Sequence, residues 1–146
     1  MNEIDRKNRQ NELIALFDKA PIKHIYGMEL GFDDEEHAVF NLPYNPHFDH
    51  TLGGIHGGVM ATLIDNAGWF TVAPHYDNWV ATVEFHVRLL EHVERQSLQA
   101  IGRLVRRGKL LSIAEMEVRA NSGNLVAMGS GTYIVTTIPF QLSGQK

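Results

Sequence analysis

The chain has 146 residues, 44% of them hydrophobic, and a formal net charge of -4 at pH 7. That suffices for one domain with a core of useful size, and so modest a charge gives no reason to expect nucleic acid as a partner. No apolar run is long enough to span a bilayer, the opening MNEIDRKNRQNE lacks the apolar centre of a signal peptide, and there is no cysteine. A cytoplasmic protein without disulfides or thiolate chemistry is therefore predicted, with any catalysis resting on oxygen and nitrogen groups.

Residues 1–20 read as an amphipathic helix, because Leu13, Ile14, Leu16 and Phe17 recur in a charged background that Pro21 ends. It is expected on the rim of the domain. From Ile25 to Leu42 the runs IYGMELGF and HAVFNL read as strands around Asp33, Asp34, Glu35 and Glu36. Those acids suit a solvated hairpin turn, since they lack the glycine-punctuated alternation of a calcium loop. Pro43 to Ile55, PYNPHFDHTLGGI, is a loop. Its His47, Asp49 and His50, with His56 beyond, are metal-ligand types, but a proline-bounded loop gives them no fixed spacing and no metal is predicted.

The stretch Gly53 to Phe70, GGIHGGVMATLIDNAGWF, joins a glycine turn to a helix expected from about Gly57 to Ala73 and stopped by Pro74. Four glycines surround His56, so the backbone there can approach a ligand closely. Met60, Leu63, Ala67 and Phe70 form an apolar stripe, whereas Gly58, Ala61, Thr62, Asp65, Gly68 and Trp69 share a face of mostly small residues. Asp65 stands out as a carboxylate two turns inside a helix that otherwise reads as buried. A functional role is favoured over a buried acid held by backbone amides.

Four strand-like runs follow, WVATVEFHVRLL, SLQAIGRLVRR, KLLSIAEMEVRA and LVAMGSGTYIVTTI. The turns between them are short, so these strands are expected to pair antiparallel. In the first, Trp79, Ala81, Val83, Phe85, Val87 and Leu89 alternate with Val80, Thr82, Glu84, His86 and Arg88, which predicts one apolar face laid on the helix. The expected architecture is α+β, an antiparallel sheet wrapped around a central helix. Residues 21–140 form the single domain, with the N-terminal helix before it and a tail at 141–146.

A helix opened by His56-Gly57-Gly58, carrying Leu63-Ile64-Asp65 and followed by a strand containing Thr82-Val83-Glu84-Phe85, resembles the hotdog-fold acyl-CoA thioesterases. Within them it is most similar to the phenylacetyl-CoA thioesterase-like (PaaI-like) subgroup, over about residues 20–137. The resemblance implies that the Gly57 amide polarises a thioester carbonyl and that Asp65 attacks it or activates water. It also implies a site between the subunits of a homodimer, often paired into tetramers. Thr82 stands where relatives often carry a hydroxyl that orients the water, although a plain β-branched strand residue is nearly as good a reading. His50 stands where an asparagine is usual, and histidine there can hydrogen-bond but can also change charge. The substrate implied is an acyl-CoA, whose coenzyme A is part of the substrate, with no separate cofactor.

Physical chemistry supports the same division of roles. The first amides of a helix lack an intrahelical acceptor and sit at the positive end of its dipole, which suits an oxygen gaining negative charge. Gly57 and Gly58 offer such amides without obstruction, and His56 is expected to shape the turn rather than move protons. Gly57 and Asp65 stand roughly 12 Å apart along one helix, so both can act on one carbonyl only if they come from two chains. Arg103, Arg106, Arg107 and Lys109 surround a hairpin turn that is either solvated or a phosphate site, and a coenzyme A ligand favours Arg106, Arg107 and Lys109 as its phosphate contacts. Two other readings stand beside the hydrolase. One is a dehydratase or hydratase of β-hydroxyacyl thioesters using Pro46-His47-Phe48 and Asp65, the other a non-catalytic acyl-CoA sensor. The acyl group, aromatic or medium-chain, depends on a lining such as Trp69, Phe70 and Trp79 whose orientation a sequence does not display.

Overall fold

The computed structural model describes residues 3–141. Its helices are α1 (Glu3–Asp18), α2 (Pro21–Tyr26) and α3 (Gly57–Val72), and its strands β1 (Glu29–Phe32), β2 (Ala38–Leu42), β3 (Asn78–Leu89), β4 (Leu98–Arg107), β5 (Leu111–Ala120) and β6 (Leu125–Pro139). All six strands join one antiparallel sheet in the order β1-β2-β4-β5-β6-β3. The sheet wraps around α3, as expected. Leu63, Ile64 and Ala67 of α3 are fully buried against sheet residues that include Val80, Ala100, Ala114, Val118 and Tyr133. The tail expected at 141–146 lies, after Gln141, outside the described residues.

Four expectations need correction. Pro21 does not simply end the first helix but opens α2, because proline's fixed φ and missing N–H suit the first helical position and force Ala20 before it into an extended conformation. Ile25 and Tyr26 are consequently helical rather than strand, and Gly27 caps α2 at φ 72° before β1 begins. Nor is α1 a rim helix. Leu13 is 0% and Phe17 2% exposed, and Phe17 meets Phe40 and Phe70 edge-on with ring centroids 5.2 and 5.3 Å apart.

The third correction concerns β3, which pairs with β6 alone and not with β4. The linker between β3 and β4 is long enough to cross three strand spacings of about 4.8 Å. Hydrogen bonds pin it on the way, from Leu90 N–H to the Val126 carbonyl (2.9 Å), from Ile55 N–H to the Val93 carbonyl (2.8 Å) and from Asn121 N–H to the Ser97 carbonyl (3.0 Å). Val93 itself is buried at 3% exposure, so hydrophobic burial draws the linker across the end of the sheet.

The fourth is the alternation in β3. Thr82 lies opposite Tyr133 but Glu84 lies opposite Thr132, so Val83 is an extra residue at a bulge. Val80 and Thr82 face α3 before it. Beyond it, Phe85, Val87 and Leu89 take the helix side opposite Gly131, Gly129 and Ala127. The strand is nevertheless an edge, and Trp79, Val83, Phe85 and Leu89 remain 37 to 56% exposed. The acidic tetrad does form the β1–β2 turn, in which Asp33 accepts from the backbone N–H groups of Glu35 and His37.

Candidate active site

The start of α3 is held in place by hydrogen bonds from the turn before it. The turn from His50 to Gly54 is closed by His50 N–H to the Gly54 carbonyl (2.8 Å) and Gly53 N–H to the His50 carbonyl (2.9 Å). His56 then caps the helix, its Nδ1 accepting from the Gly58 N–H at 2.8 Å and its carbonyl from the Val59 N–H at 3.0 Å. Among the described residues the Gly57 N–H has no acceptor. It sits at the positive end of a 16-residue helix dipole. A cleft of about 300 Å³ opens there, lined among others by Gly57, His50, Met60, Leu89 and His92. A Cβ on Gly57 would lie 2.4 Å from Leu89 Cδ1, so the leucine stands directly over the bare backbone.

Asp65 lies half-buried on the same helix. The Thr82 hydroxyl donates to its Oδ1 at 2.9 Å, while Oδ2 makes no hydrogen bond among the described residues. Burial pushes the Asp65 carboxyl above the usual carboxylate range and the Thr82 hydrogen bond opposes that rise. Tyr133, the cross-strand partner of Thr82, is fully buried, and its hydroxyl has no hydrogen-bond partner among the described residues. The ring is seated against Gly68, one turn beyond Asp65, where a Cβ would come within 1.9 Å of the phenolic oxygen. Burial first, then the Asp65 charge, raises the Tyr133 pKa well beyond the ordinary tyrosine range. Trp69, four residues after Asp65, donates its Nε1–H to the Val80 carbonyl at 2.7 Å and lies 5.0 Å from the Trp79 ring.

The residues expected from sequence thus fall into three groups. Gly57, Gly58, His56 and His50 meet at the helix start, where Gly58 contributes bare backbone rather than a free donor because His56 holds its N–H. Asp65 and Thr82 meet two turns along. Arg106, Arg107 and Lys109 lie in neither place, because β4 delivers them to the opposite end of α3. There Arg107 donates to the His75 carbonyl at 3.1 Å and lies 5.6 Å from the Tyr76 ring centroid. Arg103 stands apart from them, 3.6 Å from Glu117 on the sheet's outer face. Tyr133, Leu89 and His92 were missed by sequence reasoning. Each reaches its site through the β3–β6 pairing or the linker crossing, neither of which leaves a local pattern.

Residues 52–127, a span holding both the free amide and the carboxylate, match the Thioesterase superfamily over more than half of the chain. The chain belongs to the thioesterase superfamily. This thioesterase is 28% identical over 101 residues to a protein of Saccharolobus solfataricus whose name makes it a candidate esterase, covering 67% of this chain and 71% of that one. Its fold matches the PaaI protein of the E. coli phenylacetic acid degradation operon with a TM-score of 0.82 at 16% identity, over 90% of this chain and 95% of that one. A thioesterase of Haemophilus influenzae matches with a TM-score of 0.79 at 18% identity, over 91% and 92%. The sheet wrapped around α3 is the hotdog fold, and the thioesterase is a thioester hydrolase.

Proposed function

We propose that this thioesterase hydrolyses an acyl-CoA, with an aromatic or medium-chain acyl group, at sites shared by two copies of the chain. The observation that carries this reading is that the unaccepted Gly57 amide at the helix start and the half-buried carboxylate lie on the same helix, roughly 12 Å apart. The thioester carbonyl accepts from Gly57 N–H of one copy. Asp65 of the other, steadied by Thr82, attacks the carbonyl carbon or takes a proton from the water that does. The open β3 edge, with its exposed Trp79, Val83, Phe85 and Leu89, supports a homodimer joined there, since an uncovered apolar edge invites a second strand. Pairing such dimers into tetramers is part of the same proposal.

Two equivalent Gly57–Asp65 contacts require the helices to run antiparallel. The second copy's helix then extends about 12 Å beyond Gly57 and brings Arg106, Arg107 and Lys109 of that copy toward the coenzyme A phosphates. Trp69 and Trp79, beyond Asp65, support an aromatic wall for the acyl group. The test is an acyl-CoA panel in which released thiol is trapped and read optically. Turnover of at least one acyl-CoA is expected, and Asp65→Asn should reduce it by about 10³-fold or more. An Asp65→Asn protein with undiminished turnover overturns the assignment.

A further inference from the structure

The cleft at Gly57 holds two imidazoles on two different segments, His50 in the turn before α3 and His92 in the crossing linker. Their ring centroids are 5.8 Å apart. Gly54 lies between them, and a Cβ there would fall 2.6 Å from His92 Nδ1 and 2.8 Å from His50 Nε2. Both nitrogens therefore border one point that only a glycine leaves open. The other nitrogen of each ring is engaged. Leu52 N–H donates to His50 Nδ1 at 3.1 Å, which leaves the proton of the neutral ring on Nε2. Glu94 Oε1 lies 2.8 Å from His92 Nε2 and so turns Nδ1 into the cleft.

Breakdown of the tetrahedral intermediate is assisted by a proton on the departing sulfur, the more so the more basic the thiolate. The cleft at Gly57 holds its own candidate donors for that proton, the two imidazoles. We propose that His92, aimed by Glu94, is the general acid that protonates the departing thiolate, with the His50 Nε2–H as a hydrogen-bond donor beside it. This rests on the thioesterase reading of the Gly57 cleft. The water oxygen bonds to the carbonyl carbon and its proton passes to Asp65 of the second copy. The C–S bond breaks, its electron pair goes to sulfur, and sulfur takes the Nδ1 proton of the His92 imidazolium. The water has then given its proton to the carboxylate and its hydroxyl to the acyl group. The imidazole regains a proton from solvent and the carboxyl returns its own.

The test compares two thioesters of one acyl group, neither containing coenzyme A, with N-acetylcysteamine or a thiophenol as the leaving thiol. The less basic aryl thiolate gains less from a proton on sulfur than the more basic alkyl thiolate does. In His92→Gln, kcat/KM on the alkyl thioester is expected to fall about 30-fold and the aryl-to-alkyl ratio to rise at least tenfold, at unchanged melting temperature. Glu94→Gln should move the ratio in the same direction by less. An unchanged ratio overturns the assignment, whether both rates hold or both fall together. If the unaltered protein hydrolyses no member of the acyl-CoA panel, the thioesterase reading beneath it has failed instead, and with it this role for His92.

Discussion

Burial pushes the Asp65 carboxyl toward its neutral form while the Thr82 hydroxyl, 2.9 Å from Oδ1, favours the charged one. With a folded-state pKa above its ordinary value, the group costs stability at neutral pH. That cost disappears as the pH falls through the folded pKa and then the unfolded one. Asp65→Asn is therefore expected to melt above the parent at pH 7, with the gap closing as the pH is lowered into the carboxylate range, while activity is lost. Scanning calorimetry across that range checks the sign. Tyr133 makes a similar prediction without titration. Its hydroxyl is buried with no partner among the described residues, so Tyr133→Phe should gain about 1 kcal/mol. A loss of stability on chemical denaturation would mean that the hydroxyl finds a partner in solution. Asp65 was legible in the sequence because a lone acid among small residues on a buried helix is a local pattern. Tyr133 was not, because what singles it out is its pairing opposite Thr82, and register between distant strands leaves no mark in either one.

At the scale of elements, α3 carries a glycine that helix propensity disfavours by about 1 kcal/mol relative to alanine. Gly68→Ala should nonetheless destabilise the protein by about 1–3 kcal/mol, because the new methyl would meet the Tyr133 oxygen at 1.9 Å and Met116 Sδ at 2.8 Å. The cost should shrink in a Tyr133→Phe background, and a double-mutant cycle by thermal denaturation measures the coupling. The helix itself, its start at His56-Gly57 and four of the strands were readable from apolar periodicity and glycine placement. The position of β3 was not, because the crossing linker has the length and composition of an ordinary connection, and the burial of Val93 together with its long-range backbone hydrogen bonds sets its path. The role of α1 escaped for a related reason. Leu13 and Phe17 mark an apolar face plainly enough, but whether such a face caps a rim or closes a core depends on Phe40 and Phe70, far away in the chain.

At the scale of the whole molecule, shared sites make a prediction that no single-chain site can imitate. Gly57→Pro removes the amide proton at the first helical position, where proline's φ fits and the exposed Leu89 side chain can swing aside from the new ring. Asp65→Asn removes the carboxylate. Each variant alone should be inactive, yet dimers reassembled from an equal mixture should regain about a quarter of the parent activity, since half of them are mixed and each mixed dimer has one complete site. Failure of complementation, with subunit exchange verified by mass, would place both groups in separate sites. The acyl-CoA phosphates test the same geometry. Reversing Arg106 and Arg107 to glutamate should raise KM for acyl-CoA severalfold more than for the short N-acetylcysteamine ester, read from initial rates on both.

The extra residue at Val83 sets the two halves of β3 on different phases of the pleat. If Val83 instead took a regular place in the ladder opposite Thr132, every catalytic candidate would stay in the chain and Thr82 would stay beneath Asp65. From Glu84 onward, however, the strand would rotate by half a turn, so that Glu84, His86 and Arg88 rather than Phe85, Val87 and Leu89 faced the helix start. The apolar floor under the Gly57 amide would become a row of charges. The chemistry at one end of the helix is thus tied to the chemistry at its middle by a count of backbone units, and a frame error of one residue in an edge strand would undo it.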